Sequence, residues 1–217
     1  RRQELRLHFS DMDAILLAGD IWTGGMETTL TALRWAVIFF VQNPSVQEKL
    51  HKEVIAVTRS STGMKQSSAS RCPTPAPPLM KSSDWRTCCP GTSPTGALST
   101  FTVGGKVIKE GTNIMFSYSS VHHDPKHFSE PYQFRPERDI STFLAYDKSP
   151  FLNPFGLGNR RCPGEQLAVK ELFVFLAVLV QRFRFTTAEG KSPDLTRPMG
   201  MTSVPREYEV RVEKRDD

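Results

Sequence analysis

The residues best equipped for chemistry lie in one short window, Phe155-Gly156-Leu157-Gly158-Asn159-Arg160-Arg161-Cys162-Pro163-Gly164. Glycines at a turn let backbone pass close to a flat ligand. Cys162 stands just before a helical pattern, with Pro163 at a position that suits a first helical turn. The amides and dipole of a helix N-terminus, with Arg160 or Arg161 close by, favour the thiolate, and a thiolate is a metal ligand. For a lone cysteine, a buried structural role in a glycine-rich loop is the plainer alternative.

Two further segments carry chemically useful side chains. Gly24-Gly25-Met26-Glu27-Thr28-Thr29 interrupts a strongly helical run. Glycine and threonine are poor helix formers, so their presence there predicts a local distortion. The plainer alternative is a helix that merely carries small residues and a solvated Glu. The third segment is His122-His123-Asp124-Pro125-Lys126-His127-Phe128 followed by Pro131-Tyr132-Gln133-Phe134-Arg135-Pro136-Glu137-Arg138. His beside Asp invites a metal-site reading. A zinc module built from Cys88, Cys89, His122 and His123 fits no known knuckle spacing.

Stepping outward, residues 11–58 must form helices. Ser10 or Asp11 can cap a run through Ile15, Leu16 and Leu17 that continues to Val41 and ends at Asn43-Pro44. Ser45 is then expected to cap a second helix, Val46 to Val57, with Val46, Leu50 and Val54 on one face. Residues 60–100 are rich in Ser, Thr and Pro and read as a long structureless loop. Phe101 to Ile108 reads as a hairpin turning at Gly104-Gly105, and Asn113 to Phe116 as a strand. Irregular chain is expected from Asp124 to Phe155. The helix after Cys162 carries Leu167, Leu172, Phe175, Leu176, Leu179 and Phe183 on one broad face and should be mostly buried. Val204-Pro205 and Tyr208 to Val212 suggest strands.

The 217 residues carry 28 Lys and Arg against 23 Asp and Glu, a net charge of +5. These charges are interspersed, which argues against a nucleic-acid partner and leaves a mild bias toward acidic partners. Cys72, Cys88, Cys89 and Cys162 have no disulfide-framework spacing, so a reducing compartment is expected. The longest apolar stretch, Ala36 to Val41, is too short to span a bilayer, and any membrane anchor is expected to lie N-terminal to this sequence.

The cysteine window resembles the haem-binding loop of the cytochrome P-450 superfamily, F-x-x-G-x-R-x-C-x-G, with Phe155, Gly158, Arg160, Cys162 and Gly164 filling its positions. By this resemblance Cys162 is the axial ligand of haem iron, Phe155 packs beside the sulfur and Arg160 pairs with a propionate. A thiolate ligand pushes electron density to the iron and favours O–O cleavage. The segment from Gly24 to Thr29 is similar to the family's oxygen-activation motif, [AG]-G-x-[DE]-T-T. That implies room for dioxygen at Gly25 and proton delivery by Glu27 and Thr28. The third segment is similar to H-x-D-P-x-x-F…P-x-x-F-x-P-E-R, with the first His at either 122 or 123, which implies scaffold and a buried charge network at Arg138. Substrate-facing positions would be Leu17, Thr23 and Met26, with Met199 to Ser203 forming a C-terminal turn over the haem.

The resemblance thus implies a mainly α fold with small β hairpins, the C-terminal portion of the cytochrome P-450 fold, in one partial domain over 1–217. Its parts are residues 10–58, an aberrant segment 60–100, and residues 101–215. It further implies a haem-thiolate monooxygenase acting with O2 on a small apolar substrate, fed by NADPH through a reductase at the cytoplasmic face of the endoplasmic reticulum. Arg161 and Lys170 could steer that reductase. The rival is a non-catalytic remnant of such an enzyme.

One departure bears on that choice. The family's E-x-x-R helix should fall between residues 60 and 100, yet no Glu occurs between Val54 and Lys109. Read back by one nucleotide, the Met80–Lys81 junction must encode Glu. The Ser83–Asp84 junction then admits Arg, restoring that spacing. A frame error in this segment is the expectation, and sequencing of mature message across it is the test.

Overall fold

The computed structural model describes residues 10–59, 94–134, 140–142, 145–146, 149–189, 191–198 and 200–215. Met199, the Arg138 network and the Cys88–Cys89 pair lie outside the described residues.

Helix α1 runs Asp11–Gln42. Its start is fixed by a capping box: the Asp13 amide donates to Ser10 Oγ at 3.2 Å, and the Ser10 amide donates to Asp13 Oδ2 at 2.9 Å. The Ser10 hydroxyl also donates to Asp13 Oδ2 at 2.7 Å, and that bond, followed by the one from the Ser10 amide, holds the Asp13 carboxyl below the ordinary carboxylate range. At the far end the Asn43 amide donates to Phe39 O at 2.9 Å. Helix α2 runs Pro44–Arg59, so the chain turns from one helix to the next at a single residue. Ser45 lies inside α2 and does not cap it. Proline has no amide to leave unpaired and fits a first helical position, which lets the helix open at Pro44. The Asn43 carbonyl accepts from the amides of Val46 and Gln47.

Short strands follow: β1 Thr95–Gly96, β2 Phe101–Val103, β3 Lys106–Ile108 and β4 Asn113–Ile114. β2 and β3 pair antiparallel with Phe101 opposite Ile108 and Val103 opposite Lys106. Their turn holds Gly104 at φ 55° and Gly105 at φ 76°, the left-handed pair that a two-residue hairpin needs. β4 is shorter than expected and pairs with β1, which falls inside the segment read as structureless. Helix α3, Tyr118–His122, and the paired strands β5 Ile140–Thr142 and β6 Ala145–Tyr146 were not foreseen. They are too short for a periodic signal to register.

Helix α4 spans Glu165–Arg182 and β7 takes over at Phe183, running to Thr187 against β8, Val210–Lys214. The expectation that Phe183 continues the helix is therefore corrected, and Val204-Pro205 is not a strand. Nor is α4 mostly buried. Leu176, Ala177 and Val180 are in the core, whereas Leu167 is 56% and Phe175 50% exposed. The reason is where its partners lie: α1 gives Ala36, Phe40 and Val41, α2 gives Leu50 and Val54, and β7 gives Phe185, all gathered on the C-terminal half of α4.

Two polar devices lock this core. The buried Gln47 amide donates to Phe40 O and Phe185 O and accepts from the Phe185 amide at 2.8 Å, joining α1, α2 and β7. Glu48 accepts from Arg184 at 2.7 Å and from Arg215 at 2.8 Å, tying α2 to β7 and to the residue that follows β8. The Arg215 bond leads in drawing the Glu48 pKa down to about 2.

Candidate functional site

Cys162 emerges from a loop shaped by backbone bonds. The Gly156 amide donates to Asn153 O at 3.1 Å, and the Cys162 amide donates to Phe155 O at 2.8 Å, closing the chain from Phe155 to Cys162 into a ring. Gly156 at φ 80° and Gly158 at φ 68° make the reversals that a side chain would resist. A single 3-10 turn covers Gly158–Arg160. The thiol of Cys162 is exposed. Gly164 caps α4, and a Cβ there would lie 3.8 Å from Cys162 Sγ. Pro163 consequently precedes the cap, a correction to its expected first-turn place. Arg161 pairs with Glu165 at 3.3 Å, so of the two arginines it is Arg161 that braces the helix start, while Arg160 stands exposed. Phe155 is half-buried.

Beneath the loop lies α3. His122 is 1% exposed, and its Nε2 accepts from the Asn153 amide at 3.2 Å. Phe128 meets the same ring edge-on and Tyr118 stacks on it. The Tyr118 hydroxyl sits 2.6 Å from where a Cβ on Gly156 would be, and burial raises its pKa. His123 instead stacks on Tyr132. The two histidines thus have different surroundings, and His122 is built into the scaffold. Among the described residues no group of three or more His, Cys, Asp or Glu could hold a metal ion. A group that brings its own ring of ligands needs only one protein donor, which a single exposed thiol among glycines fits.

On α1, Leu17, Thr23 and Met26 are all exposed, and a Cβ on Gly24 or Gly25 would meet nothing within 4 Å. The expected distortion does not break the helix. Instead the Thr28 hydroxyl donates to Gly24 O at 2.7 Å, so that carbonyl serves a side chain as well as the ladder. Glu27 does something different: its carboxylate accepts from the Thr202 hydroxyl. The segment around Thr202 is fastened to α1 at further points. Trp35 Nε1 donates to Ser203 O at 2.7 Å, Tyr208 Oη donates to Arg34 O at 2.9 Å, and Arg197 lies over the Trp35 ring. Gly200–Ser203 therefore rests against the long helix. The tight fold there requires glycine, since a Cβ on Gly200 would come within 2.9 Å of Thr202 O.

Sequence reading missed Tyr118, Asn153 and the pairing of Thr202, a member of the expected Met199–Ser203 turn, with Glu27. Tyr118 and His122 are four apart, one helical turn, and that spacing was the available signal. Nothing local marks that pairing, whose two members are 175 residues apart in the chain.

Among the described residues, no helix is long and apolar enough to cross a membrane. The family model described as Cytochrome P450 matches residues 1–73 and 92–212. The chain is 35% identical over 94% of its length to a 3-ketosteroid oxygenase of Caenorhabditis elegans, covering 36% of that protein. It is 32% identical over 95% of its length to steroid 17-alpha-hydroxylase/17,20 lyase of Oryzias latipes, covering 40% of it. A zebra fish cytochrome P450 structure with abiraterone superposes with a TM-score of 0.83 at 30% identity, over 96% of this chain and 50% of that one. The chain thus spans well under half the length of these two curated relatives. The stretch that the family model leaves unmatched, 74–91, falls inside the segment that lacks Glu. With matches on both sides of that gap, and a fold shared with solved members, the chain belongs to the cytochrome P450 family.

Proposed function

We propose that this chain is the haem-thiolate part of a monooxygenase that inserts one oxygen atom of O2 into a small apolar substrate. The observation that carries the reading is the exposed Cys162 thiol, presented by a backbone-closed, glycine-lined loop at the start of α4. Cys162 would bind the iron, with Phe155, Gly158, Arg160 and Gly164 cradling the macrocycle. When bound, the haem supplies dioxygen activation; orientation and electrostatics fall to the protein. Glu27 holds and releases a proton at its carboxylate, and Thr28 positions its hydroxyl on the same turn of α1. Leu17, Thr23, Met26 and Met199 would face the substrate. A steroid-sized substrate is favoured by likeness to a 3-ketosteroid oxygenase and to a zebra fish structure holding progesterone. Electrons come from NADPH through a reductase at the endoplasmic reticulum membrane, with Lys170 and Arg161 toward that acidic partner.

The test is spectroscopic. Reconstituted with haem, reduced and exposed to CO, the protein gives the Soret band of thiolate ligation, and Cys162→Ser abolishes it. An unchanged spectrum in that variant defeats the reading. A second reading, a non-catalytic remnant, is favoured by the unmatched stretch 74–91 inside the family match. Failure of the unaltered chain to take up haem supports it.

A further inference from the structure

The cysteine loop is held from below by one ring. His122 is buried on α3 and accepts a hydrogen bond from the backbone amide of Asn153, the residue whose own carbonyl takes the Gly156 amide. An imidazole nitrogen that accepts from an N–H carries no proton itself, so the His122 proton is on Nδ1. One turn earlier on α3, Tyr118 fills the space that only a glycine at 156 leaves open. Phe128 meets the imidazole edge-on. From Asn153 the chain then runs through two left-handed glycines to the bond between Phe155 and Cys162. Without an acceptor at 122, the Asn153 amide in this half-buried position has lost its partner, and the first anchor of the loop goes with it.

We propose that His122 is a positioning residue for Cys162: its Nε2 fixes Asn153 and thereby the conformation in which the loop presents the thiol. The proposal deepens the haem-thiolate reading of Cys162 and rests on it. It assigns the histidine of this segment neither a metal nor a proton-transfer role but the geometry of the sulfur.

Hydrogen exchange on the haem-free chain is the first test, because it needs no cofactor. His122→Phe keeps an aromatic ring for Tyr118 and Phe128 and removes the acceptor. Amides from Asn153 to Cys162 are expected to exchange at least about tenfold faster, while those around Phe40 and Val180 keep their protection. His122→Gln, which restores an acceptor oxygen, returns the loop toward its original rate. In the haem-reconstituted protein the same pair gives the second readout: His122→Phe shifts the CO-bound band from the thiolate to the neutral-thiol position, and His122→Gln shifts it back. Unchanged exchange over 153–162 in His122→Phe overturns the proposal. Protection lost equally in the helical core also overturns it, since the role would then be general stability. If the unaltered chain takes up no haem, the functional reading fails, while the exchange result still decides what His122 does.

Discussion

At the scale of single residues, two glycines of the cysteine loop share a left-handed backbone but not their surroundings. Gly158 has open space where a Cβ would go, whereas Gly156 faces the Tyr118 hydroxyl. Gly158→Ala should therefore cost only the backbone strain, about 1 kcal/mol. Gly156→Ala adds a steric collision and should cost roughly twice as much or more. Urea midpoints of the two variants check the order; equal losses would mean that Tyr118 yields freely. Glu27 and Thr28, adjacent in sequence, are committed to different partners, one to Thr202 and the other to its own helix. If Glu27 transfers protons, Glu27→Gln lowers turnover about 10²-fold. On the proposed NADPH-driven reading, Thr202→Val, which removes only the group that orients it, should reduce product formed per NADPH by a few-fold, with Thr202→Ser restoring it. A Thr202→Val enzyme as well coupled as the parent would detach the C-terminal turn from this chemistry.

At the scale of elements, the Glu48 clamp makes a pH signature. Its folded pKa lies at about 2 against an ordinary 4.5, chiefly through Arg215. A depressed carboxyl contributes stability that is full above 4.5 and is lost as pH falls toward 2. Glu48→Gln should lower stability by about 1 kcal/mol at neutral pH, a figure already reduced for solvent screening, and the two proteins should converge in acid. Glu53 works the other way, since burial raises its pKa and its ionisation disfavours the folded state as pH rises. Melting temperatures of the parent and Glu48→Gln across this window isolate the Glu48 contribution; parallel curves would leave it none. The long helices and the Gly104-Gly105 hairpin were legible because their signals are local: a capping residue, a 3.6-residue period, a paired-glycine turn. The loop around Cys162 was legible as a motif but not as a geometry. Its anchor, His122 to Asn153, crosses 31 residues of sequence. The burial of α4 was misjudged for a related reason, because an apolar face reports what a helix can pack against and not whether a partner is there.

At the scale of the molecule, the core is concentrated at one end. Trp35, Ala36, Ile38 and Phe40 are buried in the second half of α1, whereas Ile21 is 61% and Trp22 72% exposed in the first. Apolar surface of that extent favours association. Ile21→Ser with Trp22→Ser should leave unfolding free energy within about 0.5 kcal/mol of the parent while reducing concentration-dependent sedimentation. A large loss of stability would reveal packing on that face. One consequence follows for the kinetics of α1 itself. A rod of 32 residues is clamped along its last third and gripped by little before that. Its peptide groups should open in order, from Asp11 inward, each step costing little until the chain reaches Glu27, which Thr202 holds. A single rod would then behave as two materials, a fraying tip and a rigid root, with the Gly24–Gly25 pair inside the tip.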